Sequence, residues 1–135
     1  MALIVPNNSE VLALKNFLNH TAPQDQYLKL YANNYDPVEA SVVGDFTEAA
    51  GGGYTHIALT GASWTVATSG GLTTASYAQQ TFTFTGALTT NPTIYGYFVV
   101  QQTSGALMWA EKAASTFTPA NNGDTYKVTP QITGE

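Results

Sequence analysis

The sequence predicts a mainly β fold: an antiparallel β-sandwich of seven to nine short strands, preceded by a short N-terminal helical arm. Three observations point there. Beyond residue 25, runs of Thr, Val, Ile, Tyr, Phe and Trp are punctuated by Gly, Asn and Pro. The cleanest run, residues 77–85, puts Phe82 and Phe84 on one side and Thr81, Thr83 and Thr85 on the other, as a half-buried antiparallel strand requires. The 135 residues are 44% hydrophobic, enough for one core without disulfides or metals. The chain divides into an arm, residues 1–24, and a β domain, residues 25–135.

The arm carries the one helix signal. Asn7 or Ser9 can cap it, with Glu10 three residues after Asn7 in capping-box spacing. Val11, Leu14 and Leu18 follow at i, i+3, i+7, and Leu12 and Phe17 widen the stripe. Asn19, His20 and Pro23 end it. Three turns are too few to be stable alone, so the stripe must dock on this domain or on a neighbouring subunit.

The strand runs follow in order. Gln26–Tyr31 alternates, with Leu28 and Leu30 opposite Tyr27, Lys29 and Tyr31. Residues 41–48 carry Val42, Val43 and Phe46. Residues 54–59 and 63–68 flank Thr60, Gly61 and Ala62. Gly70 and Gly71 break the chain, and Asn91-Pro92 marks a turn before Ile94–Gln101. Simple alternation there puts Ile94, Gly96, Phe98 and Val100 on one face and Tyr95, Tyr97 and Val99 on the other. Both faces are apolar, so this strand is expected to be central, or to use one face as an interface. Residues 107–112 form the next strand. Asn122-Gly123 supplies the positive φ of a tight turn before residues 125–129, and Pro130 ends or edges that strand.

Charge is scarce. Nine acidic residues face four lysines and no arginine, a net −5, and only 10% of residues are charged against about 25% in an ordinary domain. Four scattered lysines make no patch for phosphate neutralisation, which argues against nucleic acid and anionic membranes as partners. The absence of cysteine removes thiol and Cys–zinc chemistry. Pro6 interrupts the opening apolar run and no basic region precedes it, so residues 1–20 do not read as a signal peptide.

Candidate chemistry is thin. His20 and His56 are isolated from other metal-ligand spacing. Asp36, Glu39, Asp45 and Glu48 match no calcium loop, and strand alternation would put Asp45 and Glu48 on opposite faces. No Gly-x-Ser-x-Gly elbow occurs. Gly51-Gly52-Gly53 and Gly70-Gly71 lack the Lys and helix of a phosphate loop and read as flexible loops or bulges. No enzyme activity, cofactor or metal is expected. Exposed Tyr or Trp could stack on sugars, or serve subunit contacts, where Tyr is enriched. The assembly-interface candidates are Val11, Leu14, Phe17, Leu18, Tyr95, Tyr97 and Trp109.

Several segments, in order along residues 26–133, carry a resemblance. They are Leu28-Lys-Leu-Tyr-Ala-Asn-Asn-Tyr35, Asp45-Phe-Thr-Glu-Ala49, Ile57-Ala-Leu-Thr-Gly-Ala-Ser-Trp64, Tyr77-Ala-Gln-Gln-Thr-Phe-Thr-Phe84, Ile94-Tyr-Gly-Tyr-Phe98, Trp109-Ala-Glu111 and Asn122-Gly-Asp124. Together they resemble small virion proteins of tailed bacteriophages, of the head decoration or cement type. The resemblance implies a virion structural protein made in the host cytoplasm. It would bind the capsid's outer surface where major capsid subunits meet, as a homotrimer, and the family offers no catalytic motif. A phage tail, baseplate or fibre component and a carbohydrate-binding β-sandwich module are the alternatives.

Overall fold

The computed structural model describes residues 3–4, 6 and 24–134. The expected helix, with Val11, Leu14, Phe17 and Leu18, lies outside the described residues. Ten strands are described: β1 (Leu3–Ile4), β2 (Gln26–Tyr31), β3 (Ile57–Leu59), β4 (Thr65–Ser69), β5 (Leu72–Ser76), β6 (Gln80–Thr83), β7 (Ile94–Gln101), β8 (Leu107–Phe117), β9 (Thr125–Val128) and β10 (Gln131–Gly134). All pairings are antiparallel. They form a five-stranded sheet in the order β1-β8-β7-β2-β3, a three-stranded sheet β10-β5-β4 and a two-stranded sheet β6-β9. Part of the expected arm is therefore a strand: Leu3 and Ile4 pair with Glu111 and Ala110 at the edge of the largest sheet.

β7 is central, as its two apolar faces imply, and both faces are packed within this chain. One cluster joins Leu28, Leu30, Tyr97, Val99 and Trp109 of the five-stranded sheet to Phe82 and Val128 of β6 and β9. The other joins Tyr31, Phe98, Val100, Leu107 and Ala110 to Phe46. The alternation expected in β2 is thus observed. Phe82 and Phe84 are also buried, while Thr81, Thr83 and Thr85 are exposed.

Simple alternation fails at one point in β7. The pairing with β8 shifts between Ile94 and Gly96, where two steps along β7 face five along β8 (Ile94↔Phe117, Gly96↔Lys112), and the regular alternation of β7 is broken across that irregularity. Ile94 consequently shares a cluster with Tyr97 and Val99, whereas Tyr95 packs against the cluster of Phe98 and Val100. Tyr95 and Tyr97 do not share a face.

Residues 41–48 are not a strand. A short 3-10 turn, Val43–Asp45, occupies their middle. The Asp45 carboxylate accepts the Val42 N–H at 2.9 Å, and Asn33 bridges the loop by donating to Asp45 O and accepting from Thr47 N–H, both at 2.8 Å. Such local side-chain bonds compete with a ladder. The loop folds over the second cluster and inserts Phe46, stacked on Phe98 with ring centroids 5.0 Å apart.

Gly51, Gly52 and Gly53 are not a flexible loop either. All three have positive φ, and a side chain at Gly52 would meet the carbonyl oxygens of Gly86 and Ala87 at 2.5 and 2.8 Å. Glycine is needed there so that residues 50–53 can lie against residues 85–89, where Thr85 N–H bonds Gly52 O at 2.8 Å. Gly70 and Gly71, at φ 59° and 81°, form the two-residue turn of the β4–β5 hairpin.

Candidate functional site

A gathering of polar side chains, Lys29, Tyr54 and His56, surrounds Glu48. The β2 ladder explains why it forms there. β3 pairs with β2 only as far as Leu28↔Ile57, and the chain returns to β2 at the bridge Tyr31↔Glu48. Between these points lies Leu30, whose carbonyl accepts the Ala49 N–H at 2.9 Å. Its own N–H donates to the Tyr54 hydroxyl at 3.1 Å, which stands where a strand carbonyl would. Tyr54 in turn donates to Glu48 Oε1 at 3.1 Å. Lys29 Nζ donates to Glu48 Oε2 at 2.9 Å, and His56 Nδ1 lies 3.7 Å from Oε1. The His56 ring also packs on Tyr27, with centroids 4.4 Å apart.

Both carboxylate oxygens of Glu48 are thus engaged. Burial pushes the Tyr54 hydroxyl well above its ordinary 10.0, with the Leu30 N–H opposing and Glu48 adding to the shift. A hydroxyl held protonated in this way donates to Glu48 and serves poorly as a nucleophile. The cluster fastens the loop to β2. Nothing in the sequence could have assembled it, because Lys29, Glu48, Tyr54 and His56 are joined only by the chain's return to β2.

Lys112, Asp36, Asp45 and Asp124 are engaged elsewhere, each with its own partners. Lys112 Nζ contacts Asp36 Oδ1 and Asn34 Oδ1, each at 2.9 Å, tying the 33–47 loop to β8. Asp45 serves its own turn. Asp124 Oδ2 accepts the N–H groups of Ala120 and Asn121 at 2.8 Å, which hold its carboxyl below the usual range. Asp36, Asp45 and Glu48 therefore have separate partners, and among the described residues no three His, Cys, Asp or Glu converge on a metal position. A cleft of about 60 Å³ lies between Gly53, Tyr54, Thr55 and Ile57 on one side and Thr81, Phe82 and Thr83 on the other. It is far below the roughly 300–1,000 Å³ of a small-molecule site. Among the described residues no helix is long and apolar enough to cross a membrane.

The assembly-interface candidates fare differently from expectation. Tyr97 and Trp109 are 7% and 2% exposed, inside the chain's own core. Tyr97 donates to Glu111 Oε2 at 2.9 Å across the β7–β8 pair. Trp109 packs edge-on against Trp64 at 5.5 Å, and its indole N–H lacks a well-formed hydrogen bond. Trp64 is anchored too, donating to Gln26 Oε1 at 3.0 Å and packing on Tyr77. Buried in this way, Tyr97 and Trp109 offer no platform to a sugar or a subunit. Tyr95 is half-buried in the second cluster. The burial follows from β7 being covered on both faces, with β8 beside it.

The β4–β5 hairpin is the feature that sequence reading missed. From residue 57 to residue 110 there is no Asp, Glu, Lys or Arg. The hairpin lies within that stretch. Every residue of β4 is exposed, Val66 at 66% and, across the turn, Leu72 of β5 at 42%. The three-stranded sheet runs outward from the core: Ile132 of β10 packs on the first cluster, β5 is half-buried at its end, and β4 is the outer strand. The signal in the sequence was the Gly70-Gly71 pair between two Thr-rich runs.

No protein-family model, curated protein or solved structure matches this chain.

Proposed function

We propose that this protein is a non-enzymatic structural component that works by packing against other protein surfaces, as a decoration or cement protein on the outside of a tailed-phage head. The observation that carries the reading is the division of labour among its side chains. The carboxylates around Glu48, Asp45, Asp124 and Asp36 are used up in fastening loops, while the uncharged stretch carries an exposed hairpin. Such a surface meets another protein with little charge to desolvate. The ordered segments resembling virion proteins supply the location, and with it the partners: a major capsid protein and further copies of this chain. We also infer that β6–β9 and β10–β5–β4 form the second layer of a sandwich over the five-stranded sheet, supported by the cluster that takes residues from all three sheets.

The test is binding to empty tailed-phage heads. The folded protein is expected to sediment with them and to give density on the shell by electron microscopy. Folded protein that stays in the supernatant, or density confined to the tail, would overturn the capsid role.

A further inference from the structure

We infer that the open edge of β4 is a docking surface for a second copy of this chain, through antiparallel β4–β4 pairing about a two-fold axis at Ala67. β4 has one strand neighbour, β5, and no strand on its other side among the described residues. An exposed edge offers a row of backbone donors and acceptors to another strand. Natural edges are commonly blocked by Lys, Pro, a bulge or a covering loop. The strand Thr65-Val-Ala-Thr-Ser69 has neither Lys nor Pro, and its pairing with β5 runs without a shift over all five residues.

The choice of a second copy rests on the strand itself. Antiparallel pairing centred on Ala67 sets Thr65 opposite Ser69 of the second copy and Val66 opposite its Thr68, while the small Ala67 faces itself at the axis. Hydroxyl thus meets hydroxyl, a favourable cross-strand pair, and the exposed Val66 gains a β-branched neighbour. Such a contact is isologous and closes at two. Charge argues the same way. Two copies of net −5 repel, yet every Asp and Glu lies outside residues 57–110, so the hairpin lets them meet through neutral surface. The inference concerns the edge alone and stands apart from the virion role; it gives a dimer where the phage resemblance implies a trimer.

Sedimentation velocity of the full chain over rising concentration tests it, alongside Ala67→Lys. Ala67 is exposed, so the variant is expected to keep its far-ultraviolet dichroism and melting temperature. The unaltered protein is expected to shift from monomer to dimer, and Ala67→Lys to remain monomeric. A second arm uses the absence of cysteine: Ala67→Cys should oxidise to a covalent dimer much faster than Asn122→Cys, an exposed thiol in the turn before β9, outside the three-stranded sheet. A wild-type monomer at every concentration, an assembly of another number, a dimer that survives Ala67→Lys, or equal oxidation of the two cysteine variants overturns the inference.

Discussion

The ring of Tyr31 lies over Gly96, its cross-strand partner, so closely that a methyl group on Gly96 would sit 2.7 Å from the tyrosine Oη. The same methyl would collide with the backbone oxygen of Glu111 on the other neighbouring strand. The absence of a side chain in the middle of the central strand is thus what admits a fully buried tyrosine, whose hydroxyl reaches Tyr35 O at 3.3 Å.

Gly96→Ala should therefore be strongly destabilising, by about 2–4 kcal/mol, because backbone and a buried ring must both move. Gly86→Ala is the control. Its φ is not positive and nothing lies within 4 Å of the added methyl, so its denaturant midpoint should stay close to that of the unaltered protein. Equal midpoints for the two variants would remove the steric account.

Tyr54→Phe deletes one hydroxyl but two bonds, leaving the Leu30 N–H and Glu48 Oε1 without it. A loss of about 1–3 kcal/mol is expected from the orphaned backbone donor. Faster exchange of the Leu30 amide should accompany it. Unchanged exchange there would mean that water fills the gap in the ladder.

The two substitutions at Trp109 should differ widely. Trp109→Ala opens a core cavity and should cost about 3–5 kcal/mol. Trp109→Phe removes the indole N–H that has no well-formed bond while keeping an aromatic ring, so it should cost much less. Thermal melts compare them directly. Equal losses would indicate that the N–H is satisfied after all.

These sites illustrate what could be read in advance. The apolar pattern of β2, β6 and β7 was legible because alternation reports which face is buried, and the positive φ at Gly123 was legible because Asn-Gly favours it. Four things were not. The register shift between Ile94 and Gly96, whose extra residues lie in β8, leaves Tyr95 on the face opposite Tyr97 without leaving a composition signal. Residues 41–48 have strand composition, yet Asp45 and Asn33 bond the backbone locally and win. Tyr97 and Trp109 looked like surface aromatics because the cover on each face of the central sheet comes from distant parts of the chain. No single run could reveal the cluster around Glu48, since its members meet only through the return of residues 47–49 to β2.

Alkaline pH should unfold the protein cooperatively. Burial raises the hydroxyls of Tyr31, Tyr54, Tyr97 and Tyr126 above their ordinary 10.0, with nearby carboxylates such as Glu111 adding to the shift in Tyr97 and Tyr126. The unfolded chain releases these protons near pH 10 while the folded chain retains them. The contribution is complete below about pH 10 and is lost as pH rises toward the folded values. Tyrosinate absorbance from these residues should therefore appear together with loss of the strand dichroism. Full ionisation of every tyrosine before unfolding would contradict it.

The claim that the open edge of β4 in the uncharged hairpin pairs with a second copy is tested most directly by amide exchange along Thr65–Ser69 as protein concentration rises. Pairing of β4 with a second copy predicts that its outward-facing amides, fast in dilute solution, become protected in concentrated solution while those of the central strand β7 stay protected throughout. Fast exchange of the outward-facing β4 amides at every concentration would contradict it.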